Sequence, residues 1–130
     1  MQNRKFSARI ASVFLILHGL VELAGLAFIG FIPLALISFG GLNGQTLEHN
    51  ASAIAMYGAF WGIGRFVAAW GCWSLRKWAL ILGIILSSVT IVAAVMIIPA
   101  GVSDTLFAIP ALVFLLYTWF GNEQIGLQIS

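Results

Sequence analysis

Charge is what this chain has least of: six Lys and Arg and four Asp and Glu in 130 residues, 8% of the total. A soluble domain carries about a quarter charged residues, so this composition does not supply a water-facing surface. Cysteine is reduced to Cys72, which excludes an intrachain disulfide and paired-thiol redox chemistry and reads as a small apolar filler. A Ser-His-Asp set, a hydrolytic carboxylate pair and a phosphate-cradling loop are also missing. Gly62-Ile63-Gly64-Arg65 lies inside an apolar run and is no P-loop. The net charge of +2 comes mostly from Lys and Arg at the ends of such runs, so nucleic acid is not an expected partner.

Hydrophobic residues make up 62% of the chain, with a mean hydropathy of +1.07. A membrane span needs about 20 mostly apolar residues. Four runs qualify: Ile10 to Ile29, Ser52 to Leu75, Trp78 to Ile98 and Thr105 to Phe120. The expected fold is all-α: one four-span domain over residues 1–130, an integral membrane antiparallel four-helix bundle whose first partner is the lipid bilayer. Met1 to Leu26 resembles a signal peptide in its basic start, but His18 and Glu22 interrupt the apolar stretch and no small-x-small cleavage site follows. It reads as a retained first span.

Cytoplasmic loops are enriched in Lys and Arg. Arg4, Lys5 and Arg9 precede the first span and Arg76-Lys77 form the second loop, whereas the first and third loops have neither residue type, so both termini are expected to be cytoplasmic. The first loop, Phe31 to Ala51, begins apolar, and a kink or broken segment is expected near Pro33. Trp73 and Trp78, with Tyr117 and Trp119, read as interfacial anchors. Ser103 or Asp104 is placed to cap the last helix.

Against this background three ionisable side chains, His18, Glu22 and Arg65, sit inside apolar runs. A charge in hydrocarbon costs about 2.5–3.5 kcal/mol on insertion scales, so such residues face a bundle interior and find partners. His18 and Glu22 are four apart and share a helix face. Gly58, Trp61, Gly62, Arg65, Ala69 and Cys72 form a small and polar face in the second span, including a small-x-x-x-small pattern. Counted from the cytoplasmic ends at about 1.5 Å per residue, His18 lies about 12 Å deep, Arg65 about 15 Å and Glu22 about 18 Å. Ser87, Ser88 and Thr90 reach a similar level. The expectation is a mid-membrane polar layer in which Glu22 pairs with Arg65, Trp61 stacks on the guanidinium, and His18, Ser87 and Ser88 complete a ligand-binding site. The alternative is that Glu22 and Arg65 only staple two helices. Haem is disfavoured, because bis-histidine ligation would need His49 of the first loop to fold inward to His18. No metal or resident cofactor is expected.

The segment Arg9 to Gly25, with Leu17-His18-Gly19-Leu20 followed by Glu22-Leu23, resembles the first span of the DoxX-like group of small four-helix membrane proteins. Gly71-Cys72-Trp73-Ser74-Leu75-Arg76-Lys77-Trp78-Ala79 is similar to the Gly-x-Trp, basic turn and aromatic return of many prokaryotic four-helix proteins. The resemblance implies a multi-pass protein of a prokaryotic plasma membrane, with an association with quinone-linked redox complexes or another accessory role. This chain departs from the pattern at Val21-Glu22, where the group commonly has a basic residue, and at Arg65, where an acidic residue is common.

Three functions follow as expectations. The first is a non-catalytic protein that binds a lipophilic small molecule through the His/Glu/Arg layer or serves as an accessory subunit of a membrane complex, with homo-oligomerisation compatible with either. The second is a proton-coupled exporter with Glu22 alternating between proton and cation; length, span number and a membrane Glu resemble the small multidrug resistance class, although Arg65 opposes a cation. The third is a membrane-embedded enzyme, a lipid isomerase or quinone-linked subunit, with His18 and Glu22 as acid and base.

Overall fold

Residues 2–28, 44–96 and 102–121 are described by a computed structural model, and they form four helices: α1 (Gln2–Phe28), α2 (Gly44–Trp73), α3 (Lys77–Met96) and α4 (Val102–Phe120). Three of them, over Arg4–Ala24, Lys77–Val95 and Val102–Phe120, are long and apolar enough to cross a membrane. The expected span Ser52 to Leu75 falls within α2, which has the length at 30 residues but carries Arg65 and several glycines that lower its apolarity. The helix also begins earlier than the hydropathic run, so Gly44 to Ala51, expected to be loop, is helical. The segment around Pro33 lies outside the described residues.

The helices pack in a ring, α1 on α2 and α4, and α3 on α2 and α4. Each turns a seam of small or polar residues inward at alternating steps of three and four. On α1 the buried seam is Ala8, Ala11, Leu15 and His18, continued by half-buried Glu22. On α4 it is Ala108, Ala111, Leu115 and Thr118, with Asp104 one turn earlier. Such 3.5-residue spacing keeps one stripe facing its neighbours along a whole helix. The opposite faces expose large apolar side chains, among them Leu17, Leu20, Phe60, Ile63, Ile85, Val92, Leu106 and Val113. Small inside and large outside suits hydrocarbon, where helices gain from close backbone packing and not from hiding leucine. This is the surface of a membrane protein.

Two buried hydroxyls are satisfied within their own helices: Ser12 Oγ donates to the Ala8 carbonyl at 2.9 Å and Thr118 Oγ1 to the Phe114 carbonyl at 2.7 Å. That is the recourse of polar groups without water. Midway, Leu15 and Leu115 close over Gly83 of α3, forming an apolar layer with Leu80.

One end of the ring is basic. Arg4, only 5% exposed, donates from Nη2 to the carbonyls of Thr118 at 2.5 Å and Trp119 at 3.3 Å. It caps the C-terminus of α4, where a cation also meets the negative end of the helix dipole. Arg9 lies 5.5 Å over the Trp73 ring and Arg76 5.2 Å over Trp70. Of the four expected anchors, Trp73 and Tyr117 are exposed at this end, and Trp78 and Trp119 are partly buried against the core. The turn from α2 to α3 closes with Arg76 N–H bonded to Gly71 O at 2.9 Å and Leu75 N–H to Cys72 O at 3.0 Å. This is a Schellman arrangement with Leu75, at φ 57°, in the place usually held by glycine.

Helices α1 and α2 approach most closely at Gly19 and Gly62. A Cβ on Gly62 would stand 3.1 Å from Leu23 Cγ and 3.3 Å from the Gly19 carbonyl, whereas one on Gly64 meets nothing nearer than Leu86 at 3.7 Å. Gly64→Ala should therefore stabilise the protein by up to about 1 kcal/mol through helix propensity. Gly62→Ala should cost on the order of 1–3 kcal/mol by overpacking. Thermal unfolding of the two variants in detergent, with opposite signs expected, checks this contact.

Candidate functional site

The polar residues gather at the other end of the ring, where α1 approaches its close and α4 begins. Arg65, with 2% of its side chain exposed, directs Nη1 onto the Glu22 carboxylate of α1. Its Nη2 donates to Thr90 Oγ1 of α3 at 2.5 Å, and Thr90 Oγ1 in turn donates to the Leu86 carbonyl at 2.8 Å. One guanidinium thus ties three helices. Arg suits this position because it presents several donors in a fixed fork and keeps its proton.

Beside this group is a cavity of about 350 Å³ lined by Glu22, Tyr57, Trp61, Arg65, Val89, Thr90, Ala93, Ala94 and Asp104. Val89, Ala93 and Ala94 give it an apolar wall on α3. Tyr57 and Trp61, with ring centroids 5.7 Å apart, give an aromatic wall on α2. The lining thus combines a few polar groups, one from each helix, with apolar and aromatic walls, the usual composition of a small-molecule site.

Of the residues expected from the sequence, Glu22, Arg65 and Trp61 are brought together at this cavity. Trp61 does not show the expected stack on the guanidinium; its ring partners are Tyr57 and Phe60, and the cation–π contacts among the described residues belong to Arg9 and Arg76. His18 is fully buried just outside the cavity lining, its ring tilted against Phe107 and its Nε2 3.7 Å from Asp104 Oδ1. Ser87 is buried with its hydroxyl unpartnered, Ser88 is half-buried, and neither lines the cavity. Their place is taken by Thr90, one turn further from the basic end, because the long Arg65 side chain projects beyond its own Cα.

Counted from the basic end at about 1.5 Å per residue, Arg65 lies about 12 Å along α2, Thr90 about 20 Å along α3, Asp104 about 24 Å along α4 and Glu22 about 27 Å along α1, so the site runs from the middle of the ring toward its far end. Asp104 is the member that sequence reasoning missed. It was expected as a cap, and it does lie in the first turn of α4, but its carboxylate also reaches the cavity. The spacing 104-108-111-115-118 is the signal that marks it as inward-facing.

Compared with protein-family models, curated proteins and solved structures, the chain matches none.

The tie between Glu22 and Arg65 has a measurable signature. Arg65→Met alone strands a carboxylate and Glu22→Gln alone strands a guanidinium. Each single change should cost about 3–5 kcal/mol if both charges were fully buried, and less here because Glu22 is 19% exposed. The double variant should recover a substantial part of the summed losses. Unfolding midpoints of the four proteins in detergent give the coupling, and strict additivity would dismiss the pair.

Proposed function

We propose that this protein binds a lipophilic small molecule in the cavity between α2, α3 and the polar cluster, with the head group at the cluster and the apolar part along Val89 and Ala93. The observation that carries this reading is the cavity itself: about 350 Å³, lined by the charged groups of Glu22, Arg65 and Asp104 together with aromatic and aliphatic side chains. Helix stapling alone accounts for Glu22 and Arg65 but not for the space beside them, nor for the inward carboxylate of Asp104.

The architecture that goes with it is an antiparallel four-span bundle. The contacts of Arg4 with the end of α4, and of His18 with its beginning, support opposite directions for α1 and α4. Five of the six Lys and Arg residues, all but Arg65, lie at or beside the basic end, which we assign to the cytoplasmic side by the positive-inside rule. Both termini are then cytoplasmic and the cavity lies toward the outer leaflet, where an amphiphile can enter from the lipid.

Filling the cavity tests the function. Ala93→Phe places a ring in the hollow from a half-buried position, so the fold should tolerate it. A panel of single-chain amphiphiles with neutral, anionic and cationic heads should raise the unfolding midpoint of the wild type. At a ligand concentration of 100 times Kd the gain is about 2.7 kcal/mol. Ala93→Phe should lose that gain. Equal protection of both proteins by every member would mean that the cavity binds nothing specifically.

A further inference from the structure

The polar groups around the cavity are unequally committed. Glu22, Arg65 and Thr90 are engaged with one another: the guanidinium is ion-paired with the carboxylate, Nη2 donates to the hydroxyl, and the hydroxyl donates to a backbone carbonyl. An anionic head group would have to displace Glu22 from Arg65 to gain its charge. Asp104 is different. Its side chain is 39% exposed, it lines the same cavity, and its near polar neighbour is His18 Nε2 at 3.7 Å, too far for a hydrogen bond. His18 Nε2 is buried and has no hydrogen-bond partner, on a side chain 2% exposed that points toward Asp104. With His18 neutral, the charges facing the cavity are −1 on Glu22, +1 on Arg65 and −1 on Asp104. One negative charge is left over, and it sits in the first turn of α4.

We propose that the head group held in this cavity is an ammonium, paired with Asp104 and flanked by the faces of Tyr57 and Trp61. The proposal rests on the ligand-binding reading above and names the class of ligand: an amphiphilic amine with its chain along the α3 wall. Aromatic faces attract a cation through the ring quadrupole, most strongly when it is partly desolvated, and they offer nothing comparable to an anion. Arg65 does not repel the ligand as an isolated charge would, because Glu22 lies against it and cancels its field at a distance. Asp104 thereby acquires a role separate from Glu22, which is committed to Arg65.

The test uses the full-length protein in zwitterionic nanodiscs and three probes with the same ten-carbon tail: decylammonium, decanol and decyl sulfate. Binding is followed by tryptophan emission. Decylammonium should bind at least tenfold more tightly than decanol, and decyl sulfate more weakly than either. Asp104→Asn should bring the ratio of decylammonium to decanol affinity close to one, and Asp104→Glu, which keeps the charge, should retain the wild-type ratio. Retention of the preference in Asp104→Asn overturns the assignment to Asp104. Wild-type protein that binds decanol or decyl sulfate as tightly as decylammonium overturns the ammonium while leaving the cavity as a ligand site. Failure of all three probes to bind removes the ligand-binding reading itself, and the ammonium with it.

Discussion

A guanidinium in hydrocarbon keeps its proton, and the rest of this structure is arranged around that constraint. Arg65 cannot neutralise itself as a buried Glu or Lys can, so it must be met by acceptors from other helices. Glu22 meets it from α1 and Thr90 from α3. Those two contacts fix both the rotation and the height of three helices relative to one another. Holding Glu22 close to Arg65 requires the α1 and α2 backbones to approach, and the facing glycines at positions 19 and 62 permit it. Small inward residues and large outward ones then follow along the remaining seam.

The two ends of the ring have different physical characters, separated by an apolar layer. At the basic end arginines are spent on backbone carbonyls and indole faces. At the other, charged groups surround a hollow. Leu15, Leu80 and Leu115 are fully buried between them, so the cavity is blind toward the basic end.

Much of this was legible in the sequence because charge is so scarce that each interruption of an apolar run stands out. Glu22 and Arg65 were paired on that ground, and the structure puts them in contact. Asp104 escaped the same reasoning because an acid near a helix start already has a sufficient local explanation, and only the 3.5-residue seam running to Thr118 shows that it also faces inward. Counting rise along the backbone put Ser87, Ser88 and Thr90 at a similar level and could not single out Thr90 as the partner of Arg65, because it ignores the reach of an arginine side chain. The beginning of α2 was placed too late because hydropathy reports where lipid is tolerated, not where the helix starts. Trp78 and Trp119 were assigned to the interface by their position beside charges, although an indole is also large enough to fill the gaps left by alanine seams.

The capping of α4 by Arg4 joins groups 114 residues apart in the chain. Synthesis runs from the N-terminus, so Arg4 emerges before the α4 carbonyls that receive it. Until α4 arrives, its charge must remain with water and lipid head groups, and α1 has only one of its two neighbouring helices. Among these four helices the ring therefore closes only with α4. A chain interrupted before α4 would present the alanine seam of α1 and an uncommitted arginine to the membrane.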